Sequence, residues 1–183
     1  MPQQRSLANR LELAVPRPED RAAWCELIQA SRQFFARRIS MQATPAAFEA
    51  YRASADDPSR ACRLIWRRVD HTLVGAINLT EIVRGKFQSG YLGYYIGAAY
   101  ARNGYMTEAL QLMLALAFRR LRLHRVEANI QPGNRASIRL VQRAGFRREG
   151  YSRRYLKIAG RWRDHERWAL LVEDWRSAES EYR

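Results

Sequence analysis

Between Arg102 and Thr107 the chain reads Arg-Asn-Gly-Tyr-Met-Thr, and an amphipathic helical pattern begins directly behind it. The start of a helix presents backbone N–H groups that lack intrahelical partners, at the positive end of the helix dipole. A glycine there lets an anion approach the backbone closely, so Gly104 marks a phosphate cradle. The same Gly-X-X-Thr spacing also serves as a plain turn and cap, and the loop alone leaves both readings open. It matches neither common nucleotide loop. The lysine and second glycine of the one are missing, as is the glycine triplet of the other.

A second group lies between His124 and Phe146. Val126, Ala128 and Ile130 alternate with Glu127, Asn129 and Gln131, so an extended segment turns three polar side chains to one face. A strand covered on both sides is apolar on both. The polar row therefore marks a wet cleft, or else a face that is simply exposed. On the helix that follows, Arg135, Arg139 and Arg143 stand four apart and form one stripe, either an anion site or a solvated face.

These residues need a scaffold, and the pattern supplies one. Leu11, Leu13 and Val15 alternate as a short strand that Pro16 ends. Residues 18–31 read as a helix, and Thr44-Pro45 is the cap and first turn of another. Cys62–Val69 and Leu73–Thr80 read as a hairpin around Asp70-His71-Thr72, followed by a polar loop over 81–89. Tyr91–Ile96 is an aromatic, β-branched strand. Residues 106–122 give the clearest helix: Met106, Ala109, Leu110, Met113, Leu114, Ala117, Phe118 and Leu121 keep the 3.6-residue period. Val126–Ile130 is a strand, Asn134 caps a further helix, and Gly145 closes it. Residues 151–158 and 164–172 are two last strands around Gly160. The order β-α-α-β-β-β-α-β-α-β-β defines a mixed α/β layer, and no repeat or linker divides residues 1–183 into more than one domain.

Composition bounds the chemistry. The chain has 183 residues, 47% hydrophobic and 27% charged, which is a folded globular protein. No apolar run is long enough to span a membrane. Residues 1–5, Met-Pro-Gln-Gln-Arg, lack the apolar centre of a signal peptide. A cytoplasmic location is the expectation, without membrane partners. Cys25 and Cys62 have apolar neighbours and read as small buried side chains. His71, His124 and His165 are far apart, so no metal-ligand spacing appears and no metal is expected. The formal charge is +14. Such a surface attracts nucleotides, nucleic acid or acidic proteins. Only Lys86 and Lys157 are lysines, so the excess is carried by arginine, a skew that coding bias also produces.

Taken jointly, Ala101–Ala109, His124–Ser137 and Ala144–Gly150 resemble the GNAT acetyltransferase superfamily. Arg154–His165 and Trp168–Leu170 are similar to its ribosomal-protein-alanine N-acetyltransferase group. The resemblance is dense from Tyr91 to Val172. It implies a mixed, mostly antiparallel sheet with flanking helices, in which two central parallel strands, 91–96 and 125–131, splay apart. It also implies acetyl-CoA as co-substrate. The pantetheine arm then pairs with backbone at Tyr94, Tyr95 and Ile96, and the pyrophosphate sits on Arg102, Asn103, Gly104, Tyr105, Met106 and Thr107. Asn134 and Ser137 meet the pantetheine, and Arg143 reaches coenzyme phosphate or adenine. Ala101 and Met106 depart from the residues the family often has there, and Arg102 can supply the missing polar contact.

The family's base and acid positions hold Asn129 and Val141, neither of which does acid–base work. The nearest carboxylate is Glu127, either the candidate base or a surface or salt-bridged strand residue. Ser137 is the candidate to protonate or solvate the departing thiolate, and Tyr155 and His165 can line the amine side. The acceptor implied is a protein N-terminus, that of a ribosomal protein among them. A small amine (polyamine, amino acid or aminoglycoside) and a non-catalytic, nucleic-acid- or ribosome-binding role are the alternatives.

Overall fold

The computed structural model describes residues 10–35 and 41–180; the segment 1–5 lies outside the described residues. A seven-stranded sheet runs through the molecule in the order β1-β2-β3-β4-β5-β7-β6. The strands are β1 (Leu11–Ala14), β2 (Ala61–Arg67), β3 (Thr72–Val83), β4 (Ser89–Ile96), β5 (Arg125–Ile130), β6 (Arg147–Ile158) and β7 (Arg161–Leu171). All neighbours are antiparallel except β4 and β5. The helices are α1 (Arg21–Ala30), the single turn α2 (Arg32–Phe35), α3 (Pro45–Ala53), α4 (Tyr105–Ala115), α5 (Arg135–Arg143) and α6 (Val172–Ser180).

Strand alternation sorts the core into two layers. Leu79, Leu92, Val126, Ala128, Trp168 and Leu170 face α4, whose Ala109, Leu110, Met113 and Leu114 are fully buried against them. Leu64, Trp66, Leu73 and Ala76 face the other way, onto Trp24, Leu27 and Ile28 of α1 and Phe48 of α3. Each such side chain contributes about 1.5–3 kcal/mol by leaving water. The Thr44 side chain accepts from the Ala47 amide at 3.2 Å and starts α3 as its sequence requires. Where β3 passes β4 the backbones nearly touch. A Cβ on Gly75 would stand 2.3 Å from the Tyr95 carbonyl oxygen, so only glycine fits.

Four elements differ from the sequence pattern. The helix expected over 106–122 leaves α-geometry at Ala115 and widens into a π-helical turn, Leu116–Arg120. The wider turn keeps Ala117 and Phe118 buried while the chain turns towards β5. The loop over 81–89 is shorter than expected, because β3 continues to Val83 and β4 begins at Ser89. β6 starts at Arg147 rather than 151, its alternation obscured by a bulge between Arg148 and Gly150. The helices α2 and α6 lay beyond the pattern; α6 follows β7 without a break, its Trp175 ring centred 5.3 Å from that of Phe118.

Candidate active site

β4 and β5 pair at three positions only: Ser89 with Arg125, Gly90 with Val126, and Tyr91 with Glu127. Beyond them the strands separate, although β4 stays paired to β3 as far as Ile96. From Leu92 onwards, the backbone of β4 that faces β5 has no ladder partner. An edge of this kind is completed by an extended ligand that pairs with it as a strand would.

A cavity of about 380 Å³ opens at the split. Tyr94, Tyr95, Ile96, Arg102, Gly104, Tyr105, Met106, Thr107, Asn134 and Ser137 line it, which gathers most of the residues proposed from sequence around one space. Asn103 and Arg143 do not line it. Arg143 is exposed near the far end of α5, and Asn103 gives its main-chain oxygen to Arg10 at 3.3 Å. The Asn134 side chain accepts from the Ser137 amide at 3.3 Å, so both residues are fixed by the cap of α5.

Gly104 is the N-cap of α4 and sits in the left-handed region at φ 78°. That conformation is open to glycine and strained for other residues. Three features around it were missed from sequence. The buried carboxylate of Glu108, in the first turn of α4, accepts from the main-chain N–H of Arg10 at 2.8 Å and of Leu11 at 3.0 Å. It also accepts from Arg10 Nε at 2.9 Å. The Arg10 guanidinium then lies 4.9 Å from the Tyr105 ring centre. Arg67 donates to the Tyr105 hydroxyl at 3.4 Å. Two arginines from distant parts of the chain thus reach the helix start, each already paired with a carboxylate, Arg10 with Glu108 and Arg67 with Asp70, so they position Tyr105 and the loop and add little net charge. A carboxylate next to the apolar stripe was a visible signal that a partner must exist. Nothing local could name one 98 residues away.

Among the described residues, two buried polar side-chain atoms have no hydrogen-bond partner, the Tyr94 hydroxyl and Asn129 Oδ1. Burial pushes the Tyr94 phenol up to about 12; Ser137 draws it back down, yet makes no hydrogen bond of normal geometry with it. An unpaired buried polar group costs roughly 1–3 kcal/mol, so it marks a place where a ligand supplies the missing partner.

Glu127 lies at the closed end of the split and does not line the cavity. Its carboxylate accepts from Arg125 Nε at 3.0 Å, and Arg125 also holds Glu149. It shares a face with Tyr91, whose phenol is pushed up by burial, by the neighbouring Tyr155 hydroxyl and by Glu127, against Arg167. Asn129, two residues on, faces the same way. Val141 is fully buried in the core. His165 is buried 6.1 Å from the Tyr155 ring, its Nδ1 3.0 Å from the Arg163 carbonyl oxygen, and burial lowers its pKa. Among the described residues no group of three or more His, Cys, Asp or Glu could hold a metal ion.

The sheet splits between parallel strands above the open N–H groups that start α4, an arrangement suited to an extended, phosphate-bearing ligand. Residues 10–147 match the acetyltransferase (GNAT) domain, and the chain belongs to that family. The [ribosomal protein uS5]-alanine N-acetyltransferase of Escherichia coli (strain K12) is 43% identical over 103 residues, covering 56% of this chain and 53% of that one. The chain spans under two thirds of the length of the curated relatives first matched. The structure of Mycobacterium smegmatis RimJ in complex with CoA-disulfide has a TM-score of 0.78 at 26% identity, over 92% of this chain and 89% of that one. A spermidine N-acetyltransferase SpeG chimera from Vibrio cholerae and hSSAT has a TM-score of 0.74 at 19% identity, over 91% and 98%. At that identity the likeness is one of fold, and the fold alone does not select an acceptor.

Proposed function

We propose that the protein transfers the acetyl group of acetyl-CoA to the N-terminal α-amine of a protein, with a ribosomal protein as the acceptor, in the cytoplasm. The acceptor rests on the similarity to the uS5-alanine N-acetyltransferase; the observation that carries the coenzyme is the unpaired edge of β4 ending beside the Gly104 helix start, with the Tyr94 hydroxyl, unpartnered among the described residues, at the cavity. Acetyl-CoA supplies the activated acetyl group as a thioester. Main-chain groups at Tyr94–Ile96 hold its pantetheine arm, and the N–H groups from Arg102 to Thr107 hold its pyrophosphate, with Arg102 beside them.

In the transfer, the amine nitrogen bonds to the thioester carbon while the carbon–sulfur bond breaks. The nitrogen must lose a proton, and the sulfur must gain one or be stabilised. A free α-amine has a pKa of ~7.7–8.0, so part of it arrives neutral. Asn129 Oδ1 can accept a hydrogen bond from the amine and turn its lone pair towards carbon. Glu127, on the same face, takes the proton, directly or through water. On the other face Tyr94, kept protonated by its raised pKa, and Ser137 donate towards the departing sulfur.

The test is a substrate panel. Peptides beginning with Ala or Ser should be acetylated and free polyamines, amino acids and aminoglycosides should not. Turnover of the free amines alone would move the acceptor to the small-molecule class. Coenzyme binding without turnover of any amine would remove the catalytic reading.

A further inference from the structure

A second cavity of about 520 Å³, which shares Asn134 with the first, is bounded by Gln131–Asn134 ahead of α5 and by Tyr151, Trp162, Arg163 and Asp164 of β6 and β7. Two large aromatic side chains stand in solvent at its rim: Trp162 is 60% exposed and Tyr151 48%. From 151 to 163 the chain contains Arg153, Arg154, Lys157, Arg161 and Arg163 and no acid. All five are exposed, and among the described residues none is in ion-pair contact with a carboxylate.

The nearby acids are already engaged. Glu149 binds Arg125, Glu166 binds Arg148 and Asp174 binds Arg147. Asp164, the carboxylate of the cavity itself, accepts from the Tyr151 hydroxyl and the Arg154 amide, each at 2.7 Å. Arg135 and Arg139 of α5, the helix that follows Asn134, are exposed and likewise lack an ion pair among the described residues. The hairpin therefore exposes five cations unpaired among the described residues and two aromatic rings, with Lys157 opposite Trp162 and Arg161 and Arg163 on either side of it along β7.

We propose that the β6–β7 hairpin and the start of α5 form a binding surface for single-stranded RNA, with phosphates on the arginines and a base stacked on Trp162. An acidic protein segment would answer the charge but leave the exposed rings without a role. A polyanion with stackable faces answers both, since base stacking on an aromatic ring is tolerant of sequence and arginine suits phosphate. The inference does not depend on acetyl transfer, and its test uses no coenzyme.

Binding of a fluorescein-labelled 12-nucleotide single-stranded RNA to the full chain is followed by anisotropy over a salt series. With five phosphates neutralised, log K should fall with log[salt] with a slope of about −3.5, at about 0.7 per phosphate. The double variant Arg161→Gln, Arg163→Gln should reduce that slope by about 1.4. Trp162→Ala should weaken binding roughly 5- to 150-fold while leaving the slope unchanged. Trp162 is largely exposed, so the variant should fold, and circular dichroism checks this. Equal binding by Trp162→Ala and the parent would overturn the proposal. So would an oligoglutamate that competes as well as unlabelled RNA.

Discussion

Replacing Gly104 by valine separates the phosphate site from the fold. Gly104 adopts φ 78° and ψ −2°, a left-handed conformation that costs a residue with a Cβ about 1–2 kcal/mol. Space is not the obstacle. A Cβ there would have one neighbour within 4 Å, an Arg10 guanidinium nitrogen at 3.5 Å, which is ordinary contact. For a chain of this size 1 kcal/mol shifts the melting temperature by about 2–4 °C, so the variant should melt roughly 2–8 °C lower and remain folded. Coenzyme binding should suffer more. The branched side chain projects over the N–H groups that open α4 and keeps the pyrophosphate from reaching them. Hydrogen bonds to charged groups contribute about 1.5–3 kcal/mol each, so losing one weakens Kd by roughly 10- to 150-fold. Calorimetry of acetyl-CoA binding beside a thermal melt measures both quantities on one sample. A folded variant with the parent's Kd would place the pyrophosphate elsewhere. A variant that does not fold would refute the strain estimate.

Glu108→Ala leaves the buried N–H of Leu11 and that of Arg10 without their acceptor and should cost about 2–4 kcal/mol in a denaturant melt; a loss under about 1 kcal/mol would mean that β1 is not held to α4 by this carboxylate. Tyr94→Phe removes a hydroxyl with no partner, so stability should change by less than about 0.5 kcal/mol while kcat falls about tenfold or more; unchanged kcat would show that the hydroxyl does not meet the sulfur. Glu127→Gln should lower kcat by ~10²–10⁴ near neutral pH. The loss should shrink as pH rises past the α-amine's ~7.7–8.0, with coenzyme Kd unchanged; a rate equal to the parent's across that range would leave Glu127 only its ion pair with Arg125.

What the sequence disclosed depended on how local the cause was. The helix start at Gly104, the Asn134 cap and the apolar stripe of α4 are each set within a few residues, and each was legible. The polar row on β5 was legible as a pattern, but its two explanations differ only in what packs against it. In the structure neither holds alone. Glu127 is ion-paired, whereas Asn129 keeps a buried oxygen unpaired. Arg10 and Arg67 were invisible because they reach the phosphate loop from other strands, through Glu108 and Tyr105. The π-helical turn after Ala115 could not be read at all. It preserves the apolar period over one turn and changes only where the chain goes next.

The parity of the two splayed strands carries a consequence for the route of the reaction. Side chains alternate along a strand, so Leu92, Tyr94 and Ile96 pack with the α4 layer while Tyr95 packs with the α1–α3 layer, against Phe35 at 5.6 Å and under the Trp24 indole N–H at 2.8 Å. On β5 the same rule puts Val126, Ala128 and Ile130 with α4, and Glu127 and Asn129 on the opposite face. The two unpartnered atoms therefore lie on opposite faces of one sheet, Tyr94 with α4 and α5, Asn129 with the α1–α3 side. A ligand entering along α4 meets Tyr94 and Ser137 first and reaches Asn129 only through the gap. An amine that meets the thioester carbon from the far side has Asn129 and Glu127 beside it and Tyr94 across from it. The group that loses a proton and the group that gains one are then kept apart by the thickness of the sheet. Under the proposed reaction, a substitution that closes the split should abolish transfer while leaving the pyrophosphate loop intact. Gly93 lies on the acceptor-side parity, and a Cβ added to it would meet nothing within 4 Å, so Gly93→Leu fills that space without touching the Gly104 loop. Its expected signature is lost turnover with CoA binding retained within about threefold, a difference below about 1 kcal/mol. Full turnover in a folded Gly93→Leu protein would show that the acceptor does not approach from that face.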